Sequence, residues 1–383
     1  MGVSALAALL MAASCLQDGT ESIVLDPHKE IAGIPNDSRA EANPIVTETN
    51  ATIPNVQFTT ETQGDDVIIR LDMTGVQNPE TLDWLRLIGT GGENGEKQNV
   101  WLEIDGHPKG IDVYNTIDDD EDADVSAAKN DFVFLVDNSG TMIDEADAIA
   151  RDIVAWARSL NSTLDVRFGI VGYDGCIHGA VNLTTYSKLN SYLNDRSVTG
   201  IDRTVGFSGP DAYALESAAA AYKLSCQNEC GVAALRFADS NFNFRPEANR
   251  IYVNFTDEPN HPDGLSKYSV EYVEQSWDTY KGTIHSIISN DTLLPMNEVQ
   301  YDKEDPTRMS IATGGTILVT NQSFTGVTLD DLPVSSAMKN SYVIRFANVR
   351  EFMDGKPHHV KITILTADNS VMAEKVFVMV FSE

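Results

Sequence analysis

Positively charged residues are scarce in this sequence. Its 383 residues include 27 Lys and Arg against 57 Asp and Glu, which gives a formal net charge of −30. A surface with this excess of negative charge repels phosphate backbones, so the composition argues against a nucleic-acid partner. Divalent cations are natural counterions for such a surface, although solubility alone accounts for most of the acidic residues.

Long apolar runs are also missing. A membrane-spanning helix needs about 20 consecutive apolar residues, and the apolar stretch at residues 3–13 is too short. It lies within an uncharged segment, residues 1–17, and fits the core of a secretory signal peptide over residues 1–14. The tetrapeptide AASC that ends at Cys15 resembles a bacterial lipobox, which implies a lipid on Cys15. The alternative is an ordinary signal peptide cut near Ser14.

The segment that follows is polar and contains three prolines. This composition predicts a flexible tether over residues 15–45. Together with the signal peptide, it predicts an exported protein that is lipid-anchored in the bacterial cell envelope. Such a protein contacts the membrane through its anchor only, on the surface or on the periplasmic face.

Two different periods of hydrophobicity divide the rest of the chain. Apolar residues alternate with polar ones in residues 46–128, for example at 67–71 and 100–104, and again in residues 340–383. This period is typical of strands with one buried face. Each segment alone has too few strands to bury both faces. We therefore predict one all-β sandwich formed by both segments, with residues 129–339 inserted in it.

The inserted segment has the pattern of an α/β domain. Residues 132–136 form a continuous apolar run, which is typical of a strand buried on both faces of a parallel sheet. Apolar residues then recur at helical spacing over residues 149–160. Similar apolar runs at 166–173 and 250–255 alternate with helical segments. This alternation predicts an α/β fold with a doubly wound, mostly parallel sheet.

Oxygen-bearing side chains follow two of the predicted buried strands. Asp137, Ser139 and Thr141 come directly after the first strand, and Asp257 follows the strand at 250–255. Ligands of open α/β sheets bind outside the carboxyl ends of the strands, so we expect these side chains at the solvent-facing end of the sheet. Carboxylate and hydroxyl oxygens suit Mg²⁺, Mn²⁺ or Ca²⁺, and neither segment contains the His or Cys that would favour zinc.

The segments FVFLVDNSGTM, SGPD and IYVNFTDEP, in this order, resemble the von Willebrand factor type A family with its metal-ion-dependent adhesion site. The resemblance covers residues 130–339. It implies a bound Mg²⁺ ion, with Mn²⁺ or Ca²⁺ as alternatives, and these directly matched ligands: Asp137, Ser139, Thr141 and Asp257. The family takes one more ligand, a Thr or Asp, from a second loop. Ser208 is our assignment there, with Asp211 as a substitute or an additional ligand.

A narrower resemblance is to integrin β subunits, which insert the type A domain into a β-sandwich. Asp144 and Glu145 follow the first motif where those proteins carry an adjacent metal site. His261 lies four residues after Asp257, as a His does there. Acidic residues at the start of a helix also favour the helix dipole. Asp144 and Glu145 are therefore candidates for either role, additional metal ligands or helix-capping residues.

Cysteine is rare, with three residues besides Cys15: Cys176, Cys226 and Cys230. Export favours disulfide formation. Cys176 ends a predicted strand and is expected near the metal face, whereas Cys226 follows an Ala-rich helix predicted at 211–224, which runs away from that face. A bridge between these two would exceed the limit of ~7 Å on the Cα–Cα distance. We therefore predict a Cys226–Cys230 disulfide and a free Cys176.

The predicted site favours a non-enzymatic, envelope-anchored binding or adhesion protein. A metal ion held by few direct carboxylates keeps an open position, which can accept a carboxylate from a protein partner. The alternative is an assembly or co-chaperone scaffold that docks a partner of a periplasmic complex. A metal-dependent hydrolase is a third interpretation, but the sequence pairs no nucleophile with a base, as acyl transfer needs.

The lipid anchor can be tested on the mature protein. We expect mass spectrometry to find a lipidated Cys15 at the N-terminus, because the apolar stretch and the lipobox-like tetrapeptide end at this residue. A free N-terminus at another residue would contradict the lipoprotein interpretation.

Overall fold

The computed structural model describes residues 30–92, 95–118, 129–194, 204–224, 229–246, 248–289, 303–320 and 333–381. The strands in these ranges are β1 (Val56–Gln63), β2 (Asp66–Met73), β3 (Val100–Ile104), β4 (His107–Pro108), β5 (Ile111–Asn115), β6 (Lys129–Asp137), β7 (Asp165–Tyr173), β8 (Ile177–Thr184), β9 (Gly206–Ser208), β10 (Ala248–Thr256), β11 (Thr283–Ser289), β12 (Ile317–Thr320), β13 (Tyr342–Phe346), β14 (Pro357–Leu365) and β15 (Met372–Val380). The α-helices are α1 (Ile143–Thr163), α2 (Tyr186–Asn194), α3 (Ala212–Ala219), α4 (Gly231–Asn241), α5 (Val270–Ser276), α6 (Thr307–Thr313) and α7 (Pro333–Lys339). None of the described helices is long and apolar enough to cross a membrane.

Seven strands of the central part of the chain form one sheet, in the order β12-β11-β10-β6-β7-β8-β9. All neighbouring strands are parallel except β7 and β8, which pair antiparallel. Helices α1, α2 and α7 pack on one face of this sheet, and α3, α4, α5 and α6 pack on the other. The mixed α/β fold with a mostly parallel sheet is therefore confirmed.

Strand β6 lies at the centre of this sheet because its side chains are apolar on both faces. On one face, the Trp156 ring of α1 packs edge-on against Phe132 and Phe134, with ring centroids 5.1 and 5.4 Å apart. Val133 and Leu135 are buried in the cluster on the opposite face. Each aromatic pair in this geometry stabilises the fold by ~0.5–1.5 kcal/mol more than its buried area alone would. This packing fixes the carboxyl end of β6, from which the candidate site begins.

The remaining strands form two four-stranded antiparallel sheets, in the orders β1-β2-β13-β5 and β15-β14-β3-β4. Apolar residues of both sheets share one buried cluster. Strand β13 pairs with β2 on one side and β5 on the other, and β14 lies between β3 and β15. Strands from before and after the α/β segment thus complete the same two sheets.

The α/β segment leaves and re-enters the antiparallel sheets at one point. The N–H of Thr116 donates to the carbonyl of Ser341 at 3.0 Å, and the two hydroxyl groups are 2.9 Å apart. A second contact joins the start of β1 to the α/β part. There the Asn55 N–H donates to the Thr313 carbonyl and its Nδ2 donates to the Gly282 carbonyl, both at 2.9 Å.

Part of the predicted tether is folded against the antiparallel sheets. Ile31 and Ile34 are buried in a small apolar cluster, and the Asn43 side chain donates to Thr363 Oγ1 at 2.9 Å. The prediction of a flexible tether is wrong for this part, because the two buried isoleucines offset the entropy lost on ordering it. Residues 1–29, which include the predicted signal peptide and the start of the tether, lie outside the described residues.

One end of the antiparallel sheets is held by a histidine between two aspartates. The Nδ1 of His358 lies 2.7 Å from Asp105 Oδ2, and its Nε2 lies 3.0 Å from Asp354 Oδ1. The hydrogen bond with Asp105, followed by the one with Asp354, raises the pKa of His358 against the effect of burial. The same hydrogen bond lowers the pKa of Asp105. The charged form of His358 therefore stabilises the fold.

This cluster predicts a pH-dependent contribution to stability. Because the folded-state pKa of His358 lies above its unfolded value of ~6.5, the contribution is complete below about pH 6.5 and is lost as pH rises through the folded-state pKa. We expect His358→Gln to lower the urea midpoint of unfolding at pH 6 and to lower it less at pH 9. Urea titrations of wild type and variant at both pH values measure this difference.

A matched control is His359→Gln, because the His359 side chain is 67% exposed and should contribute little. The quantity to compare is the difference in urea midpoint between wild type and variant. Buried His285 is present in both proteins and changes the pH dependence of stability in the opposite direction. Burial lowers the pKa of His285 to about 3, so its contribution is lost as pH falls below ~6.5. If His358→Gln lowers the urea midpoint equally at pH 6 and pH 9, packing rather than charge accounts for the effect.

Candidate metal centre

The carboxyl end of β6 places Asp137 at the centre of the candidate site. Strands β6 and β10 are parallel neighbours, so Asp137 lies beside Thr256, which ends β10. The Asp137 carboxylate accepts one hydrogen bond from the Ser139 N–H and one from the Thr256 hydroxyl, both at 2.8 Å. Asp137 is 0% exposed. The carboxylate is therefore fixed and buried, rather than facing solvent as the sequence suggested.

The surroundings of the Asp137 carboxylate disfavour its charged form. Burial raises the pKa of Asp137 to about 8, the hydrogen bonds from Ser139 and Thr256 oppose this rise, and the nearby Glu229 carboxylate adds to it. The two donors to this carboxylate, the Ser139 N–H and the Thr256 hydroxyl, carry no charge. Because buried charges are normally paired or coordinate a metal, a divalent cation fits here as the missing countercharge.

The hydroxyl groups of the same loop lie between the two aspartates. Ser139 Oγ and Thr141 Oγ1 are 3.0 Å apart, and Thr141 also hydrogen-bonds the Asp257 side chain. Burial raises the pKa of Asp257 despite this hydrogen bond. The structure therefore brings together the four residues that match the family motif directly, at one end of the sheet.

Glu229 also lies near this site, although no sequence motif pointed to it. It lies two residues before α4, and its carboxylate acts on the pKa of Asp137. A narrow crevice at the carboxyl end of the sheet is lined by Glu229 together with Tyr173, Thr256 and Glu258. One signal could have identified it, an acidic residue just before a helix in the connection between the second and third buried strands. Glu229 thus occupies the place that the prediction gave to a second-loop ligand.

Ser208 and Asp211 lie elsewhere, so their assignment to the metal site is wrong. Ser208 ends β9, which is three strands away from β6, a lateral separation of about 14 Å at ~4.8 Å per strand. Asp211 accepts hydrogen bonds from Asn182 Nδ2 at 2.8 Å and from Asn243 Nδ2 at 3.2 Å. The reason is topological. Antiparallel β8 and the short β9 extend the sheet and carry this segment away from the carboxyl ends of the parallel strands.

The predicted additional ligands have different outcomes. Asp144 and Glu145 fall in the first turn of α1, but their side chains lie outside the described residues, so both of their proposed roles stay predictions. His261 does lie near the site, with its Nδ1 3.7 Å from Glu229 Oε2.

Two contacts of Asn138 hold the Asp137 loop in place, one with β7 and one with Thr204, which precedes β9. The Asn138 N–H donates to the Tyr173 carbonyl at 2.6 Å, and Asn138 Oδ1 accepts a hydrogen bond from the Thr204 hydroxyl. Gly172 makes this approach possible, because a Cβ there would lie 2.5 Å from Asn138 Nδ2 and 2.3 Å from the Thr204 carbonyl. Any side chain at position 172 would therefore displace the loop that carries Asp137.

The predicted Cys226–Cys230 disulfide is wrong. Cys230 is a free, buried thiol, and Cys176 is disulfide-bonded to a cysteine outside the described residues. The Ala-rich helix α3 is shorter than predicted, and the chain then turns back, so that the Leu224 N–H donates to the Gly175 carbonyl at 2.8 Å. The segment after α3 thus returns to the turn between β7 and β8, instead of ending on the far side of the α/β part.

Comparison with known proteins leaves the family open. No family model and no curated protein matches this chain. Among solved structures, it is similar to the PilB minor pilin from Streptococcus sanguinis (TM-score 0.31, 12% identity, 74% of this chain and 75% of that chain covered). Others are the human COPII-coat protein Sec24c (0.31, 10%, 72% and 47%) and the manganese-loaded Plasmodium vivax TRAP protein (0.32, 10%, 72% and 99%). All three TM-scores are below 0.5, and we draw no functional conclusion from them.

Glu229 and Ser208 are alternative ligands from a second loop, and they lead to opposite predictions for metal binding. We expect Glu229→Gln to weaken Mg²⁺ binding about tenfold or more, as losing a metal ligand or its hydrogen-bonded support commonly does. We expect Ser208→Ala to bind like wild type, because Ser208 lies three strands away. Calorimetric titration with Mg²⁺ compares the two. The reverse ranking would restore the sequence-based assignment of Ser208.

Proposed function

We propose that this protein is a non-enzymatic binding protein that captures an acidic group of a protein partner through a divalent cation. The cation binds at Asp137 and is Mg²⁺, with Mn²⁺ and Ca²⁺ as competitors, as in the type A family that the sequence resembles. The observation that carries the proposal is the buried Asp137 carboxylate, which is held by two uncharged donors, the Ser139 N–H and the Thr256 hydroxyl. We also propose export and a lipid anchor on Cys15.

The donor atoms around Asp137 support a hard cation. Carboxylates of Glu229 and Asp257 and hydroxyls of Ser139 and Thr141 surround it, so every donor is an oxygen. Mg²⁺ takes six oxygen ligands and usually keeps several waters, and Ca²⁺ accepts looser oxygen geometry. A modest set of protein ligands therefore suits Mg²⁺ and leaves room for a ligand oxygen.

The position of the hydroxyl groups supports ligand capture. Thr141 lies exposed at the rim, whereas Asp137 and Ser139 are buried beneath it. Hydroxyl donors carry no charge, so Asp137, Ser139 and Thr141 would only partly neutralise a dication that they hold. Such an ion attracts a carboxylate of a partner on the Thr141 side. An assembly scaffold would use the same site, and the identity of the partner separates it from an adhesion protein.

The proposal predicts metal-dependent stability. Because a ligand that binds only the folded state stabilises it, Mg²⁺ at 100 times its Kd adds ~2.7 kcal/mol. We expect Mg²⁺ to raise the melting temperature of wild type and to leave that of Asp137→Asn unchanged. Without metal, Asp137→Asn should be at least as stable as wild type, because the amide oxygen still accepts from Ser139 and the buried charge is gone. Differential scanning calorimetry with and without Mg²⁺ measures both effects.

Asp211→Asn is the matched control, since Asp211 is an acidic residue of the α/β part that precedes α3 and lies away from the site. It should keep the full Mg²⁺ response. The partner is then sought by pull-down from envelope or host extracts with Mg²⁺ and with chelator, using wild type and Asp137→Asn as baits. If Mg²⁺, Mn²⁺ and Ca²⁺ all leave the melting temperature of wild type unchanged, the metal site is refuted, and so is the proposed capture mechanism.

A further inference from the structure

A second group of metal-ligating side chains adjoins the Asp137 site. Glu229, Glu258 and His261 each offer one ligand atom, and these atoms all lie within 4.8 Å of one another. Glu229 lies in the connection that leads into α4, whereas Glu258 and His261 lie in the loop after β10. Two chain segments therefore converge on one point near the carboxyl end of the parallel sheet.

We propose that Glu229, Glu258 and His261 bind one transition-metal cation, with Zn²⁺ as the preferred ion, and that Glu229 is shared with the Asp137 site. The second site stands on its own geometry. Only the sharing of Glu229 rests on the proposed function.

The donor atoms distinguish this site from the first. The Asp137 site offers oxygens alone, whereas His261 adds an imidazole nitrogen to two carboxylates. Mg²⁺ and Ca²⁺ select oxygen ligands, while imidazole suits Zn²⁺ and its first-row neighbours. Zn²⁺ is commonly held by three protein ligands, with a fourth position left for water or for a ligand. Two glutamates and one histidine supply that number.

The spacing of the three side chains suits one shared cation. The ligand atoms of both carboxylates and of the imidazole lie within 4.8 Å of one another, and His261 Nδ1 is 3.7 Å from Glu229 Oε2. Because zinc lies ~2.0–2.2 Å from nitrogen and carboxylate ligands, one ion could contact all three groups after small adjustments of the side chains.

Backbone and amide hydrogen bonds hold the two ligand segments in place. The His261 N–H donates to the Glu229 carbonyl at 2.7 Å, which joins the two segments directly. The neighbouring Asn260 accepts at Oδ1 from the Val232 N–H at 3.1 Å and donates from Nδ2 to the Tyr268 carbonyl at 3.0 Å. The ligand positions are thus fixed before a metal binds, as a selective metal site requires.

The experiment is a calorimetric titration of the full chain with Zn²⁺ in buffer that holds saturating Mg²⁺, so that the oxygen-only site is filled first. We expect wild type to bind one equivalent of Zn²⁺ and His261→Ala to lose at least tenfold in affinity. His359→Ala is the matched control, since it removes an exposed histidine of the antiparallel sheets, and it should bind like wild type. Asp137→Asn should also keep its Zn²⁺ equivalent.

Each outcome decides the proposal. Zinc binding that is absent in wild type, or unchanged in His261→Ala, overturns the second site. Anomalous scattering at the zinc edge should place the ion between Glu229, Glu258 and His261, and an ion at any other position overturns it as well. If Mg²⁺ does not raise the melting temperature of wild type but Zn²⁺ still binds, the proposed function is refuted and the second site is retained.

Discussion

The buried carboxylate of Asp137 is the interaction on which the rest of the site depends. It lies where β6 and β10 end side by side, and it is fixed by the Ser139 N–H and the Thr256 hydroxyl. An ionised carboxylate in this position is unfavourable until a positive charge reaches it. The fold nevertheless keeps the Asp137 carboxylate at this position, because Trp156 packs against the phenylalanines of β6 and fixes the strand. This packing therefore fixes the position of the carboxylate.

The sequence predicted those parts of the site that follow directly from strand ends. The apolar run at 132–136 identified β6 and therefore placed Asp137, Ser139 and Thr141 on one loop, and the run at 250–255 did the same for Asp257. Parallel neighbours end at the same edge of a sheet, so these two loops had to meet. The alternating pattern likewise predicted the antiparallel strands, since it reports directly on which face is buried.

Other features depend on contacts between distant segments, which local patterns do not encode. Glu229 reaches the site only because the chain after α3 turns back to the turn between β7 and β8, and Ser208 was assigned in its place because it opens a helix. The short β9 has no detectable period, so its position at the far edge of the sheet was not foreseen. Residues 30–43 are ordered because Ile31 and Ile34 are buried. The polar composition of the whole segment hid the importance of these two residues.

The place where the chain leaves and re-enters the antiparallel sheets has a mechanical consequence. Its two connections lie side by side at Thr116 and Ser341, and they lead into β5 and β13, which pair with each other along their length. A pulling force on the α/β part is therefore divided between two adjacent strands of one sheet and loads their hydrogen bonds together. The second contact at Asn55 resists rotation about this junction. Tension would thus enter the antiparallel sheets through β5 and β13 together.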